Sequence, residues 1–191
     1  MSSSQLKTQQ KSMKKIIIFT FLLSSSLIFS QVALGKTSIS SPSVSLEFGN
    51  VAGDANKQLG IILPWVNSAN AVASVVPGTF IFDTSDKKVK YYKETDASPI
   101  WFDLTVDNSG VVDTSLQNTI TEQTKAKVSI GTPTAVPGIL VLEDADKAMV
   151  LPLVDKYSSV INPSPGMMVY DLSNNMICLY NGNVWSFWKA Q

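Results

Sequence analysis

The sequence predicts a mainly β protein, built as two tandem copies of a small antiparallel β-meander unit with short helical turns. Two patterns carry that expectation. One set of residues recurs at a fixed offset, the mark of an internal repeat. Short apolar runs are also punctuated by Pro-Gly, Asp and Asn-Gly turn signals. The composition, 45% hydrophobic and 16% charged over 191 residues, is that of a folded chain.

The repeat is read from identities. Leu63-Pro64 matches Leu151-Pro152, Val66 matches Val154, and Pro77-Gly78 matches Pro165-Gly166; Asp83 matches Asp171 and Tyr92 matches Tyr180, every pair 88 apart. Upstream the offset becomes 96, where Val32-Ala33-Leu34-Gly35 meets Val128-Ser129-Ile130-Gly131 and Leu46-Glu47 meets Leu142-Glu143. The difference of 8 implies an insertion in the first copy, around Gly49 to Leu59. Downstream, Trp101 pairs with Trp185 at offset 84, because the second copy turns more tightly. The expected divisions are a signal peptide at 1–30, a first β-rich unit at 31–102, a polar connector at 103–126, and a second β-rich unit at 127–191.

The leader comes first in the chain. Met13-Lys14-Lys15 is a basic start, and Ile16 to Phe29 is an apolar stretch of about fourteen residues, short of the roughly twenty that span a membrane. Cleavage is expected at Ser30|Gln31, with Gly35|Lys36 as the alternative, since residues 32–35 recur later and so belong to the mature fold. An uncleaved anchor is the competing reading. No cysteine follows the apolar run, so a lipoprotein is not expected. Residues 1–12 precede an already complete signal, which makes Met13 a second candidate start.

Each unit opens with a short apolar stretch ending in Gly, then a Ser/Pro/Thr-rich loop. A strand follows at Val44–Phe48 or Ile139–Leu142. Next come Gly60-Ile61-Ile62-Leu63-Pro64 and Ala148-Met149-Val150-Leu151-Pro152, apolar on both faces; Pro64 and Pro152 mark a strand end or an edge, because proline cannot donate to a ladder. Asn67–Ser74 and Asp155–Val160 are expected to make one or two helical turns. Gly78 and Gly166 sit in turns that launch the strands Thr79–Phe82 and Met167–Tyr170. Polar turns after Asp83 and Asp171 lead to the return strands Lys88–Lys93 and Met176–Tyr180. Asn181-Gly182 then reads as a tight hairpin turn with both residues at positive φ. The connector is expected to hold a strand at Leu104–Val106 and a short helical piece carrying Leu116 and Ile120.

Charge and missing residue types narrow the function. Without the four lysines of residues 1–30, eleven lysines face fifteen acids, a net charge near −4. Such a surface suits nucleic acid poorly. The chain has no His and no Arg, and one cysteine, Cys178. A Ser-His-Asp triad, a Cys-His pair, a His-bearing zinc site and the bidentate Arg clamp are thereby excluded. The lone cysteine leaves no internal disulfide.

At these residues the chain resembles a family of short secreted bacterial surface proteins, whose unit also occurs near phage-tail-fibre-like and surface-fibre stalks. The resemblance rests on Gln31-Val32-Ala33-Leu34-Gly35, Leu46-Glu47, Gly60-Ile61-Ile62-Leu63-Pro64, Gly166-Met167-Met168-Val169-Tyr170-Asp171 and Tyr180-Asn181-Gly182-Asn183-Val184-Trp185. The first copy departs from the pattern, with Phe82 in place of Tyr and Tyr92-Lys93-Glu94 in place of the Asn-Gly turn. The resemblance implies an exported surface component and carries no catalytic residue.

Four groups of side chains have a bland and a sharp reading. Trp65, Trp101, Trp185 and Trp188, with Tyr91, Tyr92, Tyr170 and Tyr180, either pack across strands at roughly 0.2–1 kcal/mol a pair or form a sugar-stacking platform. Trp188 has no counterpart in the other copy and is the best exposed candidate. Glu143, Asp144 and Asp146 with Asp83 and Asp86 are either solvated turn residues or Ca²⁺ ligands. Glu47 and Glu143 hold equivalent places, as structural residues or as a glycosidase-like pair. Cys178 reads as a small buried hydrophobe, with an intermolecular disulfide as the alternative.

No catalytic residue, metal or cofactor is expected. The chain reads as an exported, non-enzymatic structural or adhesion-type protein, secreted or held at the cell surface. Its partner would be a second copy of itself, in a homo-oligomer or fibre and trimeric by analogy with fibre stalks, or a cell-surface or glycan partner; no nucleic acid is expected. A carbohydrate-binding module and an extracellular polymer hydrolase are the alternatives.

Overall fold

The structure is a computed structural model that describes Gln5 and residues 31–49, 59–94, 100–115, 117, 119–121 and 126–190. The chain divides into two compact units, Met1–Ser30 and Gln31–Gln191. The expected leader, apart from Gln5, lies outside the described residues, as do residues 50–58 of the expected insertion and Leu116. Among the described residues no helix is long and apolar enough to cross a membrane.

The second unit is mainly β. Its strands are β1 (Val32–Leu34), β2 (Val44–Phe48), β3 (Ile61–Ile62), β4 (Trp65–Val66), β5 (Phe80–Asp83), β6 (Lys88–Lys93), β7 (Ile100–Asp103), β8 (Val128–Gly131), β9 (Leu140–Glu143), β10 (Ala148–Val150), β11 (Leu153–Val154), β12 (Met167–Asp171), β13 (Met176–Tyr180) and β14 (Trp185–Trp188). Single 3₁₀ turns at Ala69–Ala71 and Tyr157–Ser159 fall inside the two segments where helical turns were expected.

Four sheets result. One runs β4-β5-β6-β7 and another β11-β12-β13-β14, each with a parallel first pair followed by two antiparallel pairs. The third is the all-parallel β1-β2-β10, and the fourth the parallel pair β8-β9. The structure thus corrects the expectation of self-contained antiparallel meanders. Strands of three to five residues stack side by side in parallel, as in a β-solenoid, and two pairings cross between the halves. β10 joins β2, and β3 runs antiparallel to β12 with Ile62 opposite Met167. Alternation along a short strand says which face is buried but not which strand lies alongside.

Local geometry repeats at the offsets read from the sequence. Positive φ occurs at Ser74 and Asn162, at Lys87 and Asn175, and at Gly78 and Gly166, each pair 88 apart. Phe82 N–H donates to the Pro64 carbonyl as Tyr170 N–H does to that of Pro152, both at 2.9 Å. Gly78 N–H donates to the Tyr92 carbonyl and Gly166 N–H to that of Tyr180. In the antiparallel ladders Tyr92 lies opposite Trp101 and Tyr180 opposite Trp185.

The interior explains why the halves do not stand apart. Leu63, Phe82 and Val89 of the first half pack with Met168 and Leu179 of the second, with Trp65 and Leu104 against them. On the other face of the β12–β13 hairpin, Met167, Val169 and Cys178 pack with Val154 and Val160, under Tyr157. Cys178 and Leu179 point to opposite faces of β13, and both are buried.

Two further expectations are corrected. Leu104–Val106 is not a strand: Leu104 N–H still donates to the Val89 carbonyl, but Val89 N–H is met by the Thr105 hydroxyl instead of a backbone carbonyl, which ends the ladder. Asn181-Gly182 is not a two-residue turn. Only Gly182 of the two has positive φ, and the Asn181 side-chain oxygen accepts from the N–H groups of Asn183 and Val184, closing a four-residue loop from Asn181 to Val184.

Candidate binding face

β5, β6 and β7 present alternate residues to the face that carries the shared core. Its inner end is filled by Phe82 and Val89. Toward the outer end the same alternation places Phe80 opposite Tyr91 and Tyr91 opposite Phe102. Their rings form a ladder with centroids 5.9 Å apart from Phe80 to Tyr91 and 5.4 Å from Tyr91 to Phe102. Trp188 of β14 continues it edge-on at 6.3 Å from Phe102 and donates its indole N–H to the Leu104 carbonyl at 2.7 Å. Phe80 is 41% and Trp188 43% exposed, so both ends of the ladder reach solvent. The Lys93 ammonium lies 4.8 Å from the Phe102 ring centre, in cation–π contact. Such a surface offers stacking area and one positive charge.

The four tryptophans meet different fates. Trp188 joins the ladder. Trp65 is half-buried and donates its indole N–H to the Pro165 carbonyl, tying the halves together. Trp101 packs edge-on to Tyr92 at 5.3 Å, and Trp185 packs on Tyr180 at 5.1 Å, the equivalent pair. Sequence reading missed Phe80 and Phe102. The signal was present: in Phe80-Ile81-Phe82-Asp83 and Ile100-Trp101-Phe102-Asp103, alternation puts a Phe on the face of the next strand's Tyr91.

The repeated turn residues serve architecture. Asp83 accepts the N–H of Ala69, and Asp171 that of Tyr157, so each carboxylate caps the 3₁₀ turn of its own half. Their other oxygens hold the following turn through Ser85 and Asn174. Burial pushes both carboxyls up, but the converging N–H and side-chain donors outweigh it and leave both below the usual range. Gly78 and Gly166 hold the left-handed turns before β5 and β12. Pro64 and Pro152 each separate two short strands. The Asn181 amide donates to the Asp107 carbonyl and side chain, docking the connector on the β13–β14 loop.

The acidic sets stay apart. The Lys90 ammonium sits among Asp86 at 2.5 Å, Asp103 at 2.9 Å and Asp83 at 4.0 Å, where a bound cation would otherwise neutralise them. Burial lowers the Lys90 affinity for its proton, and the Asp86 and Asp103 carboxylates more than restore it. Asp144 pairs with Lys147. Among the described residues no group of three His, Cys, Asp or Glu is placed to hold a metal ion. Glu47 is bound by Lys36 and the Ser40 N–H, and Glu143 by Ser129 and the Thr134 N–H, which lower both carboxyls. Each glutamate fastens the loop preceding its own strand.

No family model, curated protein or solved structure matches this chain.

Proposed function

We propose that the chain is an exported, non-enzymatic structural or adhesion-type surface protein whose two halves derive from one strand-and-turn unit written twice. The observation that supports it is the use made of the repeated ionisable groups. Asp83 with Asp171, and Glu47 with Glu143, each give an oxygen to a backbone N–H of a turn or loop. Chemistry-bearing side chains thereby serve shape, while the half-exposed aromatic row of Phe80, Tyr91, Phe102 and Trp188 is left at the surface. Expressed with its own leader in a bacterial host, the protein is expected outside the cytoplasm with Gln31 as its first residue. An intact leader on cytoplasmic protein would refute export.

The aromatic ladder favours a second reading, carbohydrate binding. Sugar rings stack on half-exposed aromatic faces, and Phe80, Tyr91, Phe102 and Trp188 form a row of them. On a glycan array this reading expects retention that Trp188→Ala abolishes. Silence across the array removes it.

A further inference from the structure

We propose that the outer edge of β9 is a strand-accepting edge, filled by the outer edge of β10 from a second copy of this chain. The inference deepens the structural reading above and rests on it, naming the contact through which such a protein would assemble.

The ground is a broken symmetry inside the chain. β8 and β9 are the counterparts of β1 and β2 at offset 96. β2 has a parallel neighbour on both sides, β1 and β10, with Leu46 opposite Met149. β9 has β8 on one side and, among the described residues, no strand on the other. Leu142 is the counterpart of Leu46. The fold therefore builds a parallel strand onto one copy of this element and leaves the same edge of the other copy open.

The backbone of β9 is set up to receive it. Val128 N–H donates to the Ile139 carbonyl at 2.8 Å, with Val128 opposite Leu140. In a parallel ladder this commits the alternate residues Ile139, Val141 and Glu143 to β8 and turns the N–H and C=O groups of Leu140 and Leu142 outward. Unpaired groups in a row template a further strand. The side chains agree: Val128 is 57%, Ile139 59% and Leu140 47% exposed, an apolar concentration on a two-stranded sheet of a kind that is marginal alone.

The fitting occupant is β10. It already fills the equivalent edge within the chain, and its own second edge pairs with no described strand. Ala148 and Met149 are exposed beside it. One copy would thus offer both an acceptor, β9, and a donor, β10. These are different surfaces, so the contact is head-to-tail and generates a filament or, if the rotation closes, a ring.

Light scattering over a concentration series of the exported chain tests this, with circular dichroism reporting the fold. Mass is expected to climb with concentration. Leu140→Lys, which puts a charge beside the edge, and Leu142→Pro, which removes an outward donor, are expected to stay monomeric where the wild type assembles. Leu34→Lys, on β1, is expected to assemble normally. If the proline variant unfolds, Leu140→Lys decides. A wild type that is monomeric throughout overturns the proposal, as does assembly that survives Leu140→Lys. Assembly lost in Trp188→Ala but kept in Leu140→Lys would assign the contact to the aromatic ladder and overturn it too. Cytoplasmic retention would end the surface-protein reading while leaving the edge result standing; an exported but monomeric chain would do the reverse.

Discussion

At the scale of single residues, the buried carboxylates decide how the fold responds to acid. Asp83 and Asp171 are 3% and 0% exposed and ionised among converging donors. Their folded pKa values lie below those of an unfolded aspartate, about 3.9. The stability they contribute is therefore complete above that value and is lost as the pH falls through the lower folded one. Melting temperature is expected to hold at neutral pH and drop below about pH 4. Asp171→Asn turns an amide donor toward the Tyr157 or Asn174 N–H and should cost about 1–3 kcal/mol at pH 7 while flattening the acid limb. The thiol of Cys178 is the opposite case. Burial, with the Asp171 charge adding to it, pushes it up to about 12. Maleimide labelling of the native protein should be negligible and become complete in denaturant; rapid native labelling would contradict the burial described. Cys178 was legible in advance as a small buried hydrophobe on a strand; Asp83 was expected to be a solvated turn residue or a Ca²⁺ ligand and is instead buried, because its carboxylate caps the neighbouring 3₁₀ turn.

Elements were legible in proportion to how local their causes are. The turns at Gly78 and Gly166, the 3₁₀ segments and the long hairpins depend on neighbours in sequence. The parallel pairs do not. Nothing in Val44–Phe48 says that its partners are Val32–Leu34 and Ala148–Val150. The Asn181 loop misled for a related reason. Its side chain is called away to the connector and to its own loop N–H groups, so it never takes the positive φ that an isolated Asn-Gly pair favours. The connector is held there by close approach. A Cβ on Gly110 would stand 2.0 Å from the Asn181 carbonyl oxygen. Gly110→Ala must push the two loops apart, and denaturant unfolding is expected to show a loss of about 1–3 kcal/mol. An unchanged midpoint would mean that the docking contributes nothing. The aromatic ladder was half legible: Trp188 was singled out, while Phe80 and Phe102 needed the strand register.

At the scale of the whole molecule, the two halves share an interior. Phe82 of the first half is fully buried against Met168 and Leu179 of the second, and Trp65 bonds across to Pro165. Calorimetry is expected to give one transition for both halves, and Phe82→Ala should lower it as a unit by about 3–5 kcal/mol. Two separate transitions would show that the halves fold independently. The sequence repeat suggested independence because it reports ancestry, whereas the core reports what each half still lacks. The crossing of β10 onto β2 has a consequence for the order of events in the cell. The centre of the all-parallel sheet, though made early, waits for residues more than a hundred positions downstream, and the core around Phe82 stays open until Met168 and Leu179, which come later still in the chain. A growing chain therefore stays unlocked until Met168 and Leu179 arrive, a delay that the export proposed above would call for.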